Sequence, residues 1–480
     1  MKALTFQRGV NMNNTVKKEY PIKVIQYGEG NFLRAFADYM IDVANEKGIF
    51  EGSVAIVKPI EYGELSRFEK QNCNYTVVLR GKENGKTVNT ARVVTSVSKA
   101  VGCYENFDEY ISLASLPSLE IVISNTTEAG ITLDLTDTMD GIPKTYPGKL
   151  TQLLYKRFEA FDGAMDKGLV ILPVELIEDN GKKLKECVLS LSDKWLLGKD
   201  FINWVNEACV FCSTLVDRIV TGYPRDEAEA ICKELGYTDE LLDVAEPFGL
   251  WVIEADKDIS DKFPLDKAGM PVIFTNDQRP YRERKVRILN GAHTSSVLLG
   301  WLCSLPTVGE CMKDVSLRAF MEKAVGEEII PFVKLPEDEV RAFADSVFER
   351  FENPFIKHSV LDISLNSVSK WKARVLPSFK DYYNKYNALP PALTFSFAAL
   401  VSFYDTDGSY PVRDNPEVLD FINEYRTKST QEYVTAVMKN ESFWGEDLTS
   451  FDGFANTVIK YVDDMKNSSA RKTLEKFLRG

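Results

Sequence analysis

The chain has 480 residues and only two histidines, His293 and His358. The first closes a run of reactive side chains, Lys285-Val-Arg-Ile-Leu-Asn290-Gly-Ala-His293. A lysine amine can give or take a proton, an asparagine amide can donate to a developing oxyanion, and an imidazole can orient a hydroxyl. The three together suit proton transfer to and from an alcohol or ketone oxygen. A lysine in that role needs a pKa lowered toward working pH, and flanking cations such as Arg284 and Arg287, with partial burial, act in that direction. The same spacing also fits a basic turn running into a core helix, and residue types alone leave both readings open.

Positioning these side chains requires a helix. The apolar run Val297-Leu-Leu-Gly-Trp-Leu302 reads as its buried part. If residues 285–302 are helical, Asn290 and His293 are three apart and share a face. Gly291 and Ala292 between them are small, so a ligand or another backbone can approach closely. Arg279, Arg282, Arg284, Lys285 and Arg287 crowd the start of the segment, as a solvated basic face or as a guide for anionic ligands.

Upstream, Ile22–Tyr27 reads as a strand, Gly28-Glu-Gly30 as a tight turn, and Phe32, Leu33, Phe36, Met40 and Val43 mark a helix to about Glu46. Strand, glycine turn and helix form the context of a dinucleotide fold, although Leu33 stands where the third glycine of the general fingerprint falls. A second strand, 53–57, ends in Lys58-Pro59, where a NAD-binding fold usually has an acid for the ribose. Residues 74–79 and 86–99 alternate around Gly85 as a hairpin, and 119–123, 168–173 and 270–274 read as further strands. Beyond 295 the pattern is mostly helical. The expectation is an α/β Rossmann-type N-terminal domain, residues 1–275 with an inserted hairpin, followed by a mainly α-helical C-terminal domain, 276–480, that holds substrate and catalytic groups.

A net charge of −13 argues against general nucleic-acid or anionic-membrane binding. Eight cysteines are too sparse for a disulfide scaffold, and Cys209-Val-Phe-Cys212, in an apolar stretch read as helical, suggests buried thiols rather than a metal site. No apolar leader is visible, and 388–404 falls short of the ~20 apolar residues that span a bilayer, so a cytoplasmic setting is the default.

The Lys-x4-Asn-x2-His spacing resembles the signature of the polyol-specific long-chain dehydrogenases, the mannitol dehydrogenase family. Gly28-x-Gly30-Asn31-Phe32-x-Arg34 is similar to that family's GxGxFxR turn, Thr127-Glu128-x-Gly130 to its segment beside the nicotinamide, and Lys357 to Lys370 to its second-domain substrate strip. Val216-Asp-Arg-Ile219 and the stretch from Glu246 to Glu254 extend the likeness. The resemblance implies NAD held by Gly28, Gly30, Asn31, Phe32, Arg34, Thr127 and Glu128, with Lys285 as general acid and base, Asn290 on the oxyanion and His293 orienting substrate oxygens, and no metal. Glu128 could gate protons or simply cap a turn. Lys370 is implied in substrate binding, and His358 and Arg287 are further candidates. The form KVRILNGAHT lies closer to a branch acting on hexuronates, which implies reversible reduction of D-tagaturonate to D-altronate; fructuronate or mannitol as substrate, and a non-catalytic NADH sensor, are the alternatives. Leu176 replaces an asparagine that donates to the substrate oxygen in mannitol dehydrogenases, so either Asn290 acts alone or a neighbour such as Asn180 substitutes.

Overall fold

The computed structural model describes residues 4–6, 12, 15, 17–126 and 129–480. The chain divides into one unit of Met1–Arg80 and Lys86–Gln278 and another of Gly81–Gly85 and Arg279–Gly480. Thus the hairpin tip groups with the second unit, which otherwise begins just past residue 278.

The first unit is built on a parallel sheet of Ile22–Tyr27, Ser53–Lys58, Val97–Gly102, Ile121–Ser124, Val170–Pro173 and Val210–Phe211. Numbered in that chain order, the strands lie 3-2-1-4-5-6 across the sheet, the dinucleotide-fold order. Successive residues fall into different cores: Val24, Ile56 and Ile123 into one, Ile25, Val57 and Val122 into the other. A parallel sheet buried on both faces gives near-continuous apolar strands, which is why these segments were legible. Two expectations need correction. The hairpin strand ends at Val94, and Val97–Gly102 pairs instead with Ser53–Lys58 as part of the parallel sheet. Cys209 and Cys212 flank a short strand rather than sitting in a helix, and burial pushes both thiols up to about 12.

Beside this sheet, Ser213–Asp217, Leu250–Glu254 and Val272–Thr275 make a smaller one. Arg218 ties it down: its guanidinium donates to the carbonyls of Phe248 (2.9 Å), Ala35 (2.7 Å) and Pro247 (3.1 Å). The Val216–Ile219 signature and the Glu246–Glu254 signature, which contains Pro247 and Phe248, are thus joints of the scaffold.

The second unit is mainly helical. The apolar stretch noted near 388–404 is the core helix Pro391–Tyr404, with Phe395 and Phe397 fully buried. Its start lacks a side-chain cap of its own; the buried Glu328 accepts the N–H groups of Ala392 and Leu393, each at 2.8 Å. This meets the need of a helix start for acceptors, from a residue remote in sequence.

Burial outweighs these two hydrogen bonds and pushes the Glu328 carboxyl from 4.5 to about 7. Between those values the native state holds a proton that the unfolded chain releases. The contribution is therefore full below about pH 4.5 and is lost as pH rises through about 7. Glu328→Gln is expected to flatten the fall in melting temperature across that window. Asp38 and Asp243, also raised to about 7 by burial, leave a residual slope. An unchanged melting profile in the variant would contradict this assignment.

Candidate active site

Arg279–Arg284, Lys285–Asn290 and Gly291–Leu302 form one unbroken helix in the second unit, and its middle section, Lys285–Asn290, is π-helical. That detail reorganises the motif. In a regular α-helix residues five apart point about 140° away from each other. In a π turn the backbone bonds run from i+5 to i, so residues five apart lie on the same side. The N–H of Gly291 accordingly reaches the carbonyls of Val286 and Ile288. Lys285 and Asn290 thus share a face, and His293, three residues on in the α-helical part, lies along it. A Cβ on Gly291 would stand 3.3 Å from the backbone oxygen of Arg374, a tight contact that a small residue avoids.

His293 stacks on Phe351, with ring centroids 4.1 Å apart, and meets His358 edge-on at 5.3 Å. Its Nε2 is buried and has no hydrogen-bond partner among the described residues. Burial, followed by the charges of His358, Arg350, Arg374 and Lys370, holds its pKa well below the ordinary value. At neutral pH the ring is therefore an uncharged imidazole whose buried Nε2 has no hydrogen-bond partner among the described residues. His358 is also held low by burial, and its backbone oxygen accepts from Val308 at 3.0 Å.

The candidate cations fare differently. The Arg287 guanidinium is already held by Asp381 and by Glu283 at 2.8 Å. Lys370 donates to the carbonyl of Ile363 at 2.9 Å, and burial and then Arg374 lower its pKa. Arg374 was missed in the sequence reading, although its spacing of four from Lys370 on the helix Ser367–Arg374 was available there.

In the first unit, the turn carrying Gly28 and Gly30 joins Ile22–Tyr27 to a helix that begins at Asn31 and continues to Glu46, with a π-helical section at Arg34–Asp38. Gly28 has φ +120°, and a Cβ there would stand 3.0 Å from the Asn125 carbonyl oxygen. A Cβ on the exposed Gly30 would meet nothing within 4 Å. An open backbone at the end of the first strand of this sheet fits a dinucleotide pyrophosphate. Phe32 stacks on Phe36 at 5.0 Å between centroids. Arg34 is buried and joins Asn31, the carbonyl of Leu241 and Asp243, the last at 3.6 Å. Thr127 and Glu128 lie outside the described residues.

The structure also addresses the two departures from the family pattern. The buried Lys58 ammonium donates to the carbonyls of Gly63 (2.9 Å) and Tyr62 (3.2 Å) and to Glu105. With these partners it is tied into its own loop instead of standing ready for a phosphate. Asn180 is fully buried; its Nδ2 donates to the carbonyls of Pro173 (3.0 Å), Glu175 (3.0 Å) and Thr214 (3.2 Å), and its Oδ1 accepts from Gly181 and Thr214. An amide so committed has no donor left for a substrate oxygen. Leu176 itself is 66% exposed.

Comparison with known proteins places both halves of the chain. The Mannitol dehydrogenase Rossmann domain matches residues 22–267 and the Mannitol dehydrogenase C-terminal domain residues 277–466. An altronate oxidoreductase of Yersinia enterocolitica is 43% identical over 473 residues, covering 96% of this chain and 98% of that protein. One from Shigella flexneri is 44% identical over 467 residues, covering 95% and 97%. Among solved structures, substrate-free D-sorbitol dehydrogenase has a TM-score of 0.81 at 19% identity, over 98% of this chain and 97% of that one. The Pseudomonas fluorescens mannitol 2-dehydrogenase ternary complex with NAD and D-mannitol has a TM-score of 0.66 at 20% identity, over 100% and 97%. With both domain models matched in order over nearly its whole length, and with the Rossmann strand order and the lysine-asparagine-histidine helix in place, the chain belongs to the mannitol dehydrogenase family.

Proposed function

We propose that this chain is an NAD-dependent altronate oxidoreductase that reduces D-tagaturonate reversibly to D-altronate. The observation that carries this is its 43% and 44% identity to altronate oxidoreductases across 96% and 95% of its length. The glycine turn and the tied-down Lys58 support NAD as the cofactor. When bound, the cofactor supplies a hydride to the ketone carbon in one direction and accepts it in the other. Lys285 gives its proton to the nascent alkoxide during reduction and takes it back during oxidation. Asn290, on the same face of the helix, donates a hydrogen bond to that oxygen as its charge grows. His293, neutral and with Nε2 unpartnered among the described residues, holds a substrate hydroxyl. Such an activity works beside the cytoplasmic NADH supply. Among the described residues no helix is long and apolar enough to cross a membrane.

The test is NADH oxidation scanned over D-tagaturonate, D-fructuronate and D-fructose, repeated with NADPH. D-tagaturonate with NADH is expected to give the highest kcat/KM. A higher value for D-fructuronate or D-fructose would move the enzyme to a sister activity, and preference for NADPH would mean that Lys58 leaves its loop to read a 2′-phosphate. Binding of NADH without turnover of any substrate would favour the sensor alternative.

A further inference from the structure

A hexuronate carries a carboxylate that a polyol or neutral ketose lacks, and an acidic protein has to supply a local cation to hold it. The cations around the lysine-asparagine-histidine helix divide into those already neutralised and those still open. Arg287 belongs to the first group, with Glu283 and Asp381 on its guanidinium. Arg374 belongs to the second. It is half-buried, no carboxylate among the described residues pairs with it, and its one side-chain hydrogen bond is a long 3.4 Å contact from Nη1 to the hydroxyl of Thr294. Thr294 is the residue next to His293, and the Arg374 backbone oxygen lies against Gly291, so the arginine is seated on the motif itself.

Its helix is anchored rather than loose. Trp371 is fully buried, donates from Nε1 to the Ser396 hydroxyl at 3.2 Å and stacks edge-on with Phe397. Four residues apart, Lys370 and Arg374 share one face of this helix, and Lys370 also lacks a carboxylate partner within ion-pair distance among the described residues. Burial lowers the pKa of both, and for Lys370 the charge of Arg374 adds to that effect. An unneutralised guanidinium held partly out of water is costly unless an anion completes it. The planar guanidinium also matches a carboxylate in two-point geometry, with an ammonium adding point charge.

We infer that Arg374, with Lys370 beside it, forms the carboxylate subsite of the substrate and makes the enzyme prefer hexuronates over neutral ketohexoses. This rests on the hexuronate activity proposed above. The role is one of specificity: the carboxylate lies at the far end of the substrate from the ketone, so the clamp fixes which end enters without taking part in proton or hydride transfer.

The test compares wild type with Arg374→Met and Arg374→Lys on D-tagaturonate and on D-tagatose, which has a hydroxymethyl in place of the carboxylate. A lost charge-assisted hydrogen bond should cut kcat/KM for D-tagaturonate by about 10- to 150-fold in the Met variant. The D-tagatose value should stay within about threefold of wild type, and Lys should restore part of the loss. The altronate inhibition constant should rise with Met, and the NADH dissociation constant should not move. Equal losses on both sugars would overturn the inference and return Arg374 to packing against the motif. A wild-type hexuronate preference that survives Arg374→Met would overturn it as well. A wild type that never prefers the hexuronate would instead sink the parent activity, and this subsite with it.

Discussion

Lys285→Ala is expected to lower kcat for ketone reduction by about 10²- to 10⁴-fold, the usual contribution of a positioned general acid. Of the groups the π turn brings to one face, only the lysine exchanges a proton readily with an alkoxide; Asn290 cannot, and His293 is held in its neutral form by burial and surrounding cations. NADH affinity should be nearly unchanged, since the glycine turn lies in the other unit. Fluorescence titration of NADH and single-turnover kinetics separate binding from chemistry. Partial recovery with a small primary amine added to the variant would identify the missing group as a proton carrier. A loss of less than about tenfold would remove Lys285 from the proton-transfer role, because that is below the range such a group supplies.

Asn290→Ala should cost about 10²- to 10³-fold in kcat, the range found for removing one oxyanion donor. The expectation is this large because the alternative donor is missing: Leu176 has no amide, and the Asn180 amide is used up inside the first unit. Asn290→Asp keeps the shape but sets a negative charge beside a developing alkoxide, so it should lose more than the alanine variant. The same order of losses in KM, with kcat preserved, would mean that Asn290 binds the ground state and that another group carries the oxyanion. Circular dichroism and the NADH dissociation constant serve as controls for folding at the π turn.

Much of this molecule was readable from the chain alone, for a physical reason. A parallel sheet buried on both faces writes itself as short apolar runs, as at Ile22–Tyr27 and Ile121–Ser124. A turn that requires positive φ writes itself as glycine, as at Gly28. The residue types able to do the chemistry, Lys285, Asn290 and His293, are visible wherever they stand. Less local features were misread: Val97–Gly102 joins the parallel sheet rather than the hairpin, because alternation along a strand does not name its partner.

Tertiary structure decided the rest, because it depends on which distant groups meet. Spacing could place Asn290 and His293 on one face, but only the π turn puts Lys285 there too, and residue types do not state how many residues make a turn. Charge counting saw a row of cations; folding neutralised Arg287 with Asp381, far along the chain, and seated Arg374 against Thr294 with no acid partner among the described residues. Lys58 and Asn180 were open questions in the sequence and are answered by Glu105 and Thr214, which only the folded chain brings to them. Identity and spacing set which chemistry was possible; pairing and burial set which side chains stand together to perform it.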